Sequence, residues 1–178
     1  MKKKVIVIGA GAAGLFAAGR AAECGADVTL LEKMALPGRK IGISGKGRCN
    51  LTNTAELEEF LCHFGKNGRF LRQTFSSFSN QDLISHFNKL GLPLKTERGG
   101  RVFPQCDKAT EVVKTLEKWV KKSGATLLTN APVNAITRGD KKTFTVTTKD
   151  KDYEGDAVIL ATGGVSYPRT GSTGDGYK

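Results

Sequence analysis

The chain has 178 residues, enough for one domain with a sizeable core. With 39% hydrophobic and 25% charged residues it is not a disordered or fibrous chain, and a formal net charge of +11 favours anionic partners. The four cysteines, Cys24, Cys49, Cys62 and Cys106, contain no C-x-x-C pair, which argues against a zinc site or a disulfide framework and for a reducing, cytoplasmic setting.

The first 22 residues have a basic head, an apolar run and small residues, as a secretory signal does. Arg20 interrupts that run, which is too short to span a bilayer, and no membrane association is expected. The glycine spacing explains the segment better. "KKVIVIG" reads as a buried parallel strand, and Gly9, Gly11 and Gly14 follow in G-x-G-x-x-G spacing. "LFAAGRAAECG" reads as a helix that stops at Gly25, and "ADVTLLE" as a second strand closed by Glu32.

Each part of this βαβ unit, residues 4–32, has a physical task. Gly9 permits the tight turn, Gly11 leaves room for a pyrophosphate, and Gly14 allows close helix–strand packing. The helix N-terminus offers free N–H groups and partial positive charge. Glu32 stands 23 positions beyond Gly9, where a carboxylate can accept from ribose hydroxyls and would repel a 2′-phosphate. The unit therefore predicts FAD or NAD in preference to NADP.

Residues 38–53, "GRKIGISGKGRCNLTN", form a glycine-rich basic loop. It is not a P-loop: Lys40 stands where the first glycine is required, and Gly47 where a Ser or Thr is. Lys40, Lys46 and Arg48 could meet RNA phosphates, but no aromatic residue is interleaved for base stacking, so nucleic acid is disfavoured.

An insertion of helices and strands is expected over residues 55–125. "TAELEEFLCHFG" and "SNQDLISHFNKLG" read as helices, the second opening on Ser79 with Asp82 as a capping box. "LPLKTE" and "GRVFPQ" read as strands around Arg98–Gly100. "DKATEVVKTLEKWVKKSG" is amphipathic, with Val112, Val113, Leu116, Trp119 and Val120 on one face. Trp119 is expected in the core, and His63 and His86 in structural or surface roles. A β-meander and a return strand are expected over residues 126–164, with "GDK" and "DKDYEGD" as turns, followed by a glycine-rich turn at 170–177.

Three stretches, residues 38–53, 97–113 and 158–177, closely resemble a bacterial family of NAD(P)/FAD-dependent oxidoreductases, the BaiN-like flavoproteins, which includes aminoacetone oxidase. The resemblance implies an α/β, glutathione-reductase-type FAD/NAD(P)-binding (Rossmann-like) fold with a parallel sheet and a small antiparallel meander. It implies FAD as cofactor, with Gly9, Gly11, Ala12, Ala13 and Gly14 on the pyrophosphate and Glu32 and Lys33 about the adenosine ribose. Arg39, Lys40, Ser44, Gly45, Gly47, Arg48, Cys49 and Asn50 would run along the flavin side. Val133 would contribute backbone contacts to adenine, and Ala161, Thr162 and Gly163 would pass close to the cofactor. Arg101 is a candidate for a substrate anion.

The implied reaction is hydride transfer through the flavin. An NAD(P)H-dependent reductase, an amine oxidase and an inactive nucleotide-binding remnant all stay open. A small molecule is the expected substrate. No general base stands out; Tyr167, Cys49 or a residue elsewhere could serve, and no metal site is apparent. Family members are longer, so a C-terminal portion of the same fold is expected as partner. No second G-x-G-x-x-G supports a separate nicotinamide site.

Overall fold

The computed structural model describes residues 1–139 and 143–177. In chain order the elements are β1 (Lys4–Ile8), α1 (Ala12–Glu23), β2 (Asp27–Leu31), α2 (Arg39–Ile43), β3 (Thr52–Asn53), α3 (Leu57–Cys62), α4 (Gly68–Ser77) and α5 (Asn80–Lys89). They continue with β4 (Leu94–Glu97), β5 (Arg101–Pro104), α6 (Ala109–Lys122), β6 (Thr126–Leu128), β7 (Val133–Arg138), β8 (Phe144–Thr148), β9 (Asp152–Gly155) and β10 (Ala157–Leu160). The chain divides into two compact units, Met1–Ile41 with Leu116–Lys178, and Gly42–Thr115.

The first unit is built on a parallel sheet of order β10-β1-β2-β6. β1 lies between its neighbours in register, Val7 opposite Leu30 on one side and Ile159 on the other. Parallel strands need cover on both faces. Alternation along the strands sends Ile6, Ile8 and Leu31 to one face, where they form a core with Val146 of β8 and are flanked by Val133 and Tyr153. Val7, Val28 and Leu30 take the other parity, and α1 packs on β1 and β2. Each such fully buried aliphatic side chain contributes about 2 kcal/mol.

α1 begins at Ala12, three residues before the run read as helical. It ends in a Schellman motif: Gly25, at φ +89°, donates to Ala22 O, and Ala26 donates to Ala21 O. The meander comprises β7, β8 and β9, all antiparallel. The third strand falls within "DKDYEGD", expected as a turn. Thr148 closes the hairpin in only two residues by accepting and donating to Lys151, which leaves Asp152–Gly155 free to pair. Of the expected "GDK" turn, Asp140 and Lys141 lie outside the described residues.

The second unit holds an antiparallel sheet of order β3-β5-β4 and short helices. The Ser79 capping box forms as read: Ser79 Oγ accepts from Asp82 N at 3.1 Å, and Asp82 accepts from Ser79 N at 2.8 Å. α4 was not legible as a helix. Its polar sequence buries little, and an aromatic cluster with α3 holds it, with Phe60 and Phe75 edge-on at 5.0 Å. The 38–53 stretch is not an open loop but α2, a tight 3-10 turn at Ser44–Gly47, and β3. Among the described residues no helix is long and apolar enough to cross a membrane.

Candidate dinucleotide-binding site

In the first unit, three small residues let three chain segments meet. Gly9 leaves β1 at φ +97°, and a Cβ there would lie 2.6 Å from Ala161 O. A Cβ on Gly14 would lie 1.8 Å from Gly9 O and 3.3 Å from the Ala161 Cβ. β1, α1 and the end of β10 therefore approach at backbone distance. Gly11 differs: nothing lies within 4 Å of its missing side chain, so its outer side is open. Gly11 is also the N-cap of α1 and supplies no side-chain hydrogen bond. Ala12 and Ala13 are exposed in the first turn, which carries no acidic residue. The result is an uncapped helix N-terminus facing open space, and its N–H groups suit an anion.

Glu32 is buried and holds this turn from below. Its Oε2 accepts from Ala10 N at 2.7 Å and its Oε1 from Met34 N at 2.9 Å. A carboxylate has about four lone-pair sites, so two acceptor positions remain for hydroxyls. The Glu32 carbonyl accepts from Ala131 N at 2.9 Å, which ties the approach to Val133 to the same end of β2. Lys33 is engaged elsewhere: its Nζ lies 2.6 Å from both Thr173 Oγ1 and Asp175 Oδ2. The C-terminal turn is thereby clasped to β2. Ser172 lies under Gly163, where an added Cβ would come within 2.9 Å of its Oγ. Thr162 sits against Gly176 in the same way, 2.5 Å from the added Cβ. Lys40 Nζ reaches Ser166 Oγ at 3.2 Å, and Arg39 is exposed.

Trp119 is a core residue of this unit. Its ring packs on Gly19 of α1 and tilts against Phe16 at 5.2 Å, and its Nε1 donates to Glu23 at 2.7 Å. Tyr167 is exposed with φ +56°. In the second unit, His63 is exposed at the end of α3 and His86 packs edge-on to Phe87.

The second unit carries Ser44, Gly45, Gly47, Arg48, Cys49 and Asn50. Gly45, Lys46 and Gly47 take φ of +55°, +59° and +84° in succession, and Cys49 takes +63°. Left-handed backbone at Lys46 and Cys49 costs each about 1 kcal/mol. A Cβ on Gly45 would meet Asn50 N at 2.7 Å and the Phe103 ring at 3.2 Å. Arg48 lies over that ring, 4.1 Å from its centroid. Its Nε donates to Asp107 Oδ1 at 2.8 Å, and its Nη2 bonds Glu97. Lys95 Nζ reaches Asp107 Oδ2 at 2.5 Å.

The four charges act on each other. Hydrogen bonds from Lys95 and then Arg48 hold the Asp107 carboxyl below its ordinary range, and Arg48 does the same for Glu97. Glu97 raises Arg48 in turn. Burial pushes the Cys49 thiol up, so it is a poor source of thiolate. Arg101 is exposed, with its Nε on Arg98 O at 3.1 Å and its guanidinium 5.8 Å from the Phe103 centroid. The sequence reading missed Glu97 and Asp107 as partners of Arg48, and Lys95 as a second cation on the same carboxylates. For Arg48 the only signal was opposite charge, at separations of 49 and 59 positions.

Comparison with known proteins identifies the family and the fold. Residues 3–178 match the model of the HI0933-like protein Rossmann domain. The chain is 35% identical over 176 residues to 3-dehydro-bile acid delta(4,6)-reductase of Clostridium scindens, covering 98% of this chain and 42% of that one. It is also 35% identical over 178 residues to ribosomal RNA dihydrouridine synthase of Haemophilus influenzae, covering 97% and 43%. The chain thus spans less than half the length of the curated relatives it matches. Among solved structures, 3-ketosteroid-delta4-(5alpha)-dehydrogenase of Rhodococcus jostii RHA1 superposes with a TM-score of 0.64 at 19% identity, over 93% of this chain and 47% of that one. The THI4 protein of Thermovibrio ammonificans gives 0.59 at 16% identity, over 99% and 64%. The expected fold is the one found, an α/β Rossmann-type FAD-binding fold with parallel and antiparallel sheets. The resemblance to BaiN-like flavoproteins holds as well, and the chain belongs to the HI0933-like Rossmann-domain family.

Proposed function

We propose that this chain holds FAD and forms part of an NAD(P)H-dependent reductase that saturates a C=C bond conjugated to a carbonyl. The observation that carries the FAD site is the uncapped N-terminus of α1 beneath the open side of Gly11. The amides of Ala12, Ala13 and Gly14 would take the pyrophosphate, with Gly9 and Gly11 permitting its approach. Glu32 keeps acceptor capacity for ribose hydroxyls while it holds the Ala10 amide. Val133, Ala161, Thr162 and Gly163 would pass beside the cofactor. Arg39, Lys40, Ser44, Gly45, Gly47, Cys49 and Asn50 would serve the flavin side, as the resemblance implies.

Lys33 would lie about the adenosine ribose, as the resemblance implies, while its Nζ is held by Asp175. Bound flavin would supply two-electron transfer, and the protein would supply position and electrostatics. Arg101, the exposed cation beside Phe103, is assigned to a substrate anion. Completion of the sheet by a C-terminal portion fits the exposure of Ile159 and Leu160 on the outer strand β10.

The relatives' names support the reduction. A delta(4,6)-reductase and a dihydrouridine synthase both add two hydrogens across a conjugated C=C. The preferred substrate is a small enone. A uridine in RNA is the second reading, favoured by the net charge of +11 and by the relative named for ribosomal RNA.

The test is an absorbance spectrum of the purified chain, then anaerobic stopped-flow reduction with NADH or NADPH. A flavin spectrum bleached by either nicotinamide is expected. A colourless protein that takes up no FAD would mark an inactive remnant. Oxygen consumption with aminoacetone, without nicotinamide reduction, would mark an amine oxidase. Dihydrouridine formed in added RNA, with no turnover of enones, would select the second substrate.

A further inference from the structure

Arg48 was expected to lie along the flavin side as a cation for the cofactor. Its contacts describe another task. The guanidinium has five N–H donors in a planar fork. Nε and Nη2 both meet Asp107, Nη2 meets Glu97, and the flat face lies on Phe103. Lys95 closes the ring by pairing with Asp107 at 2.5 Å and Glu97 at 3.6 Å. Two cations and two carboxylates cancel, so the cluster presents no net charge to a ligand.

The ring does grip backbone of high local energy. Arg48 directly follows three successive left-handed residues and precedes a fourth, Cys49. Asp107 is itself left-handed, at φ +55°. The glycines adopt this backbone freely, but Lys46, Cys49 and Asp107 hold it only where their surroundings determine it. Within the turn, Arg48 N donates to Gly45 O at 3.2 Å and Cys49 N to Ser44 O at 3.0 Å. The side-chain ring joins this turn to β4 and to the end of β5, beside the contact of Gly45 with the Phe103 ring.

We propose that Arg48 is a positioning residue, which with Glu97, Asp107 and Lys95 locks the Ser44–Asn50 turn in its left-handed form and does not itself pair with an anionic group of the cofactor. The flavin part of the test rests on the FAD reading above; the first part does not.

The first measurement is hydrogen exchange, by mass spectrometry, on the purified chain without flavin. Glu97→Gln and Asp107→Asn should speed exchange in peptides covering residues 44–50 about threefold, and Arg48→Ala about tenfold, with β1 and β2 unchanged. Asp107→Asn is the mildest probe, because Asn tolerates left-handed backbone. Lys95→Met serves if Arg48→Ala fails to fold, and it too should speed exchange. Unchanged exchange in the folded variants would overturn the proposal.

The second measurement is FAD affinity. A positioning role predicts that Arg48→Ala, Glu97→Gln and Asp107→Asn all weaken FAD. A direct cation role predicts opposite signs: freeing Arg48 from its carboxylates would tighten an anionic cofactor. Tighter binding by either carboxamide variant would overturn the proposal. If the parent chain takes up no FAD, the cofactor reading fails, and the exchange result still decides the role of Arg48.

Discussion

Gly11 and Gly14 stand three positions apart, and alanine at each should have a different consequence. At Gly14 the new Cβ would sit 1.8 Å from Gly9 O, where real contacts stay at or above 3.0 Å. α1 or the glycine turn must therefore move by about 1.2 Å, with the Gly9 backbone on one side and the Ala161 Cβ on the other. Overpacking of this kind costs about 1–3 kcal/mol, and rigid backbone puts it at the upper end. Alanine returns about 1 kcal/mol of helix propensity. Gly14→Ala should lose about 2 kcal/mol net, or roughly 4–8 °C in melting temperature for a chain of this size. At Gly11 the space is open and φ is −79°, which any residue adopts. Its stability should stay within about 0.5 kcal/mol of the parent. The added methyl nevertheless enters the volume assigned to the pyrophosphate, so FAD should bind at least tenfold more weakly, about 1.4 kcal/mol. Urea unfolding followed by circular dichroism reads the first effect, and FAD fluorescence titration reads the second. A Gly11→Ala chain that binds FAD as the parent does would reduce the glycines to packing devices. A Gly14→Ala chain as stable as the parent would refute the close helix–strand approach.

Three further outcomes are expected. Glu32→Gln should destabilise by about 1–3 kcal/mol, since either the buried amide of Ala10 or the half-buried amide of Met34 would face a donor; an unmoved urea midpoint would count against that latch. Glu97 and Asp107 have carboxyls depressed in the folded state, so their stabilisation is present above the ordinary carboxylate range and lost as pH falls through the folded values. The melting temperature should therefore fall below about pH 4.5 more steeply in the parent than in Glu97→Gln or Asp107→Asn. Gly19→Ala would bring a Cβ within 2.5 Å of the Trp119 ring and should cost about 1–2 kcal/mol net. Adding Trp119→Phe should relieve part of that cost, and strict additivity in the double-mutant cycle would contradict the contact.

The βαβ unit was legible because its signals are local. The strand, the glycine spacing, the helix and Glu32 fall within residues 4–32, and each is a matter of period or turn chemistry. Ser79 and Asp82 were legible for the same reason. β9 was not: Gly155 and the charged "DKD" argue for a turn, whereas the two-residue closure at Thr148 and the packing of Tyr153 and Gly155 on the sheet favour the pairing. α4 escaped because its reason to be helical is the ring of Phe75 on α3, not its own sequence. The charged residues carry the sharper lesson. Glu32 and Arg48 are each one residue of a motif, and the motif suggests a ligand for both. Their partners are set by distant backbone and side chains: the Ala10 amide 22 positions away, and Glu97 and Asp107 at 49 and 59. Glu32 keeps acceptor capacity beyond its two amides, so holding the turn and accepting a ribose are compatible. Arg48 has its fork and one face engaged, so holding the turn and pairing with a cofactor anion compete.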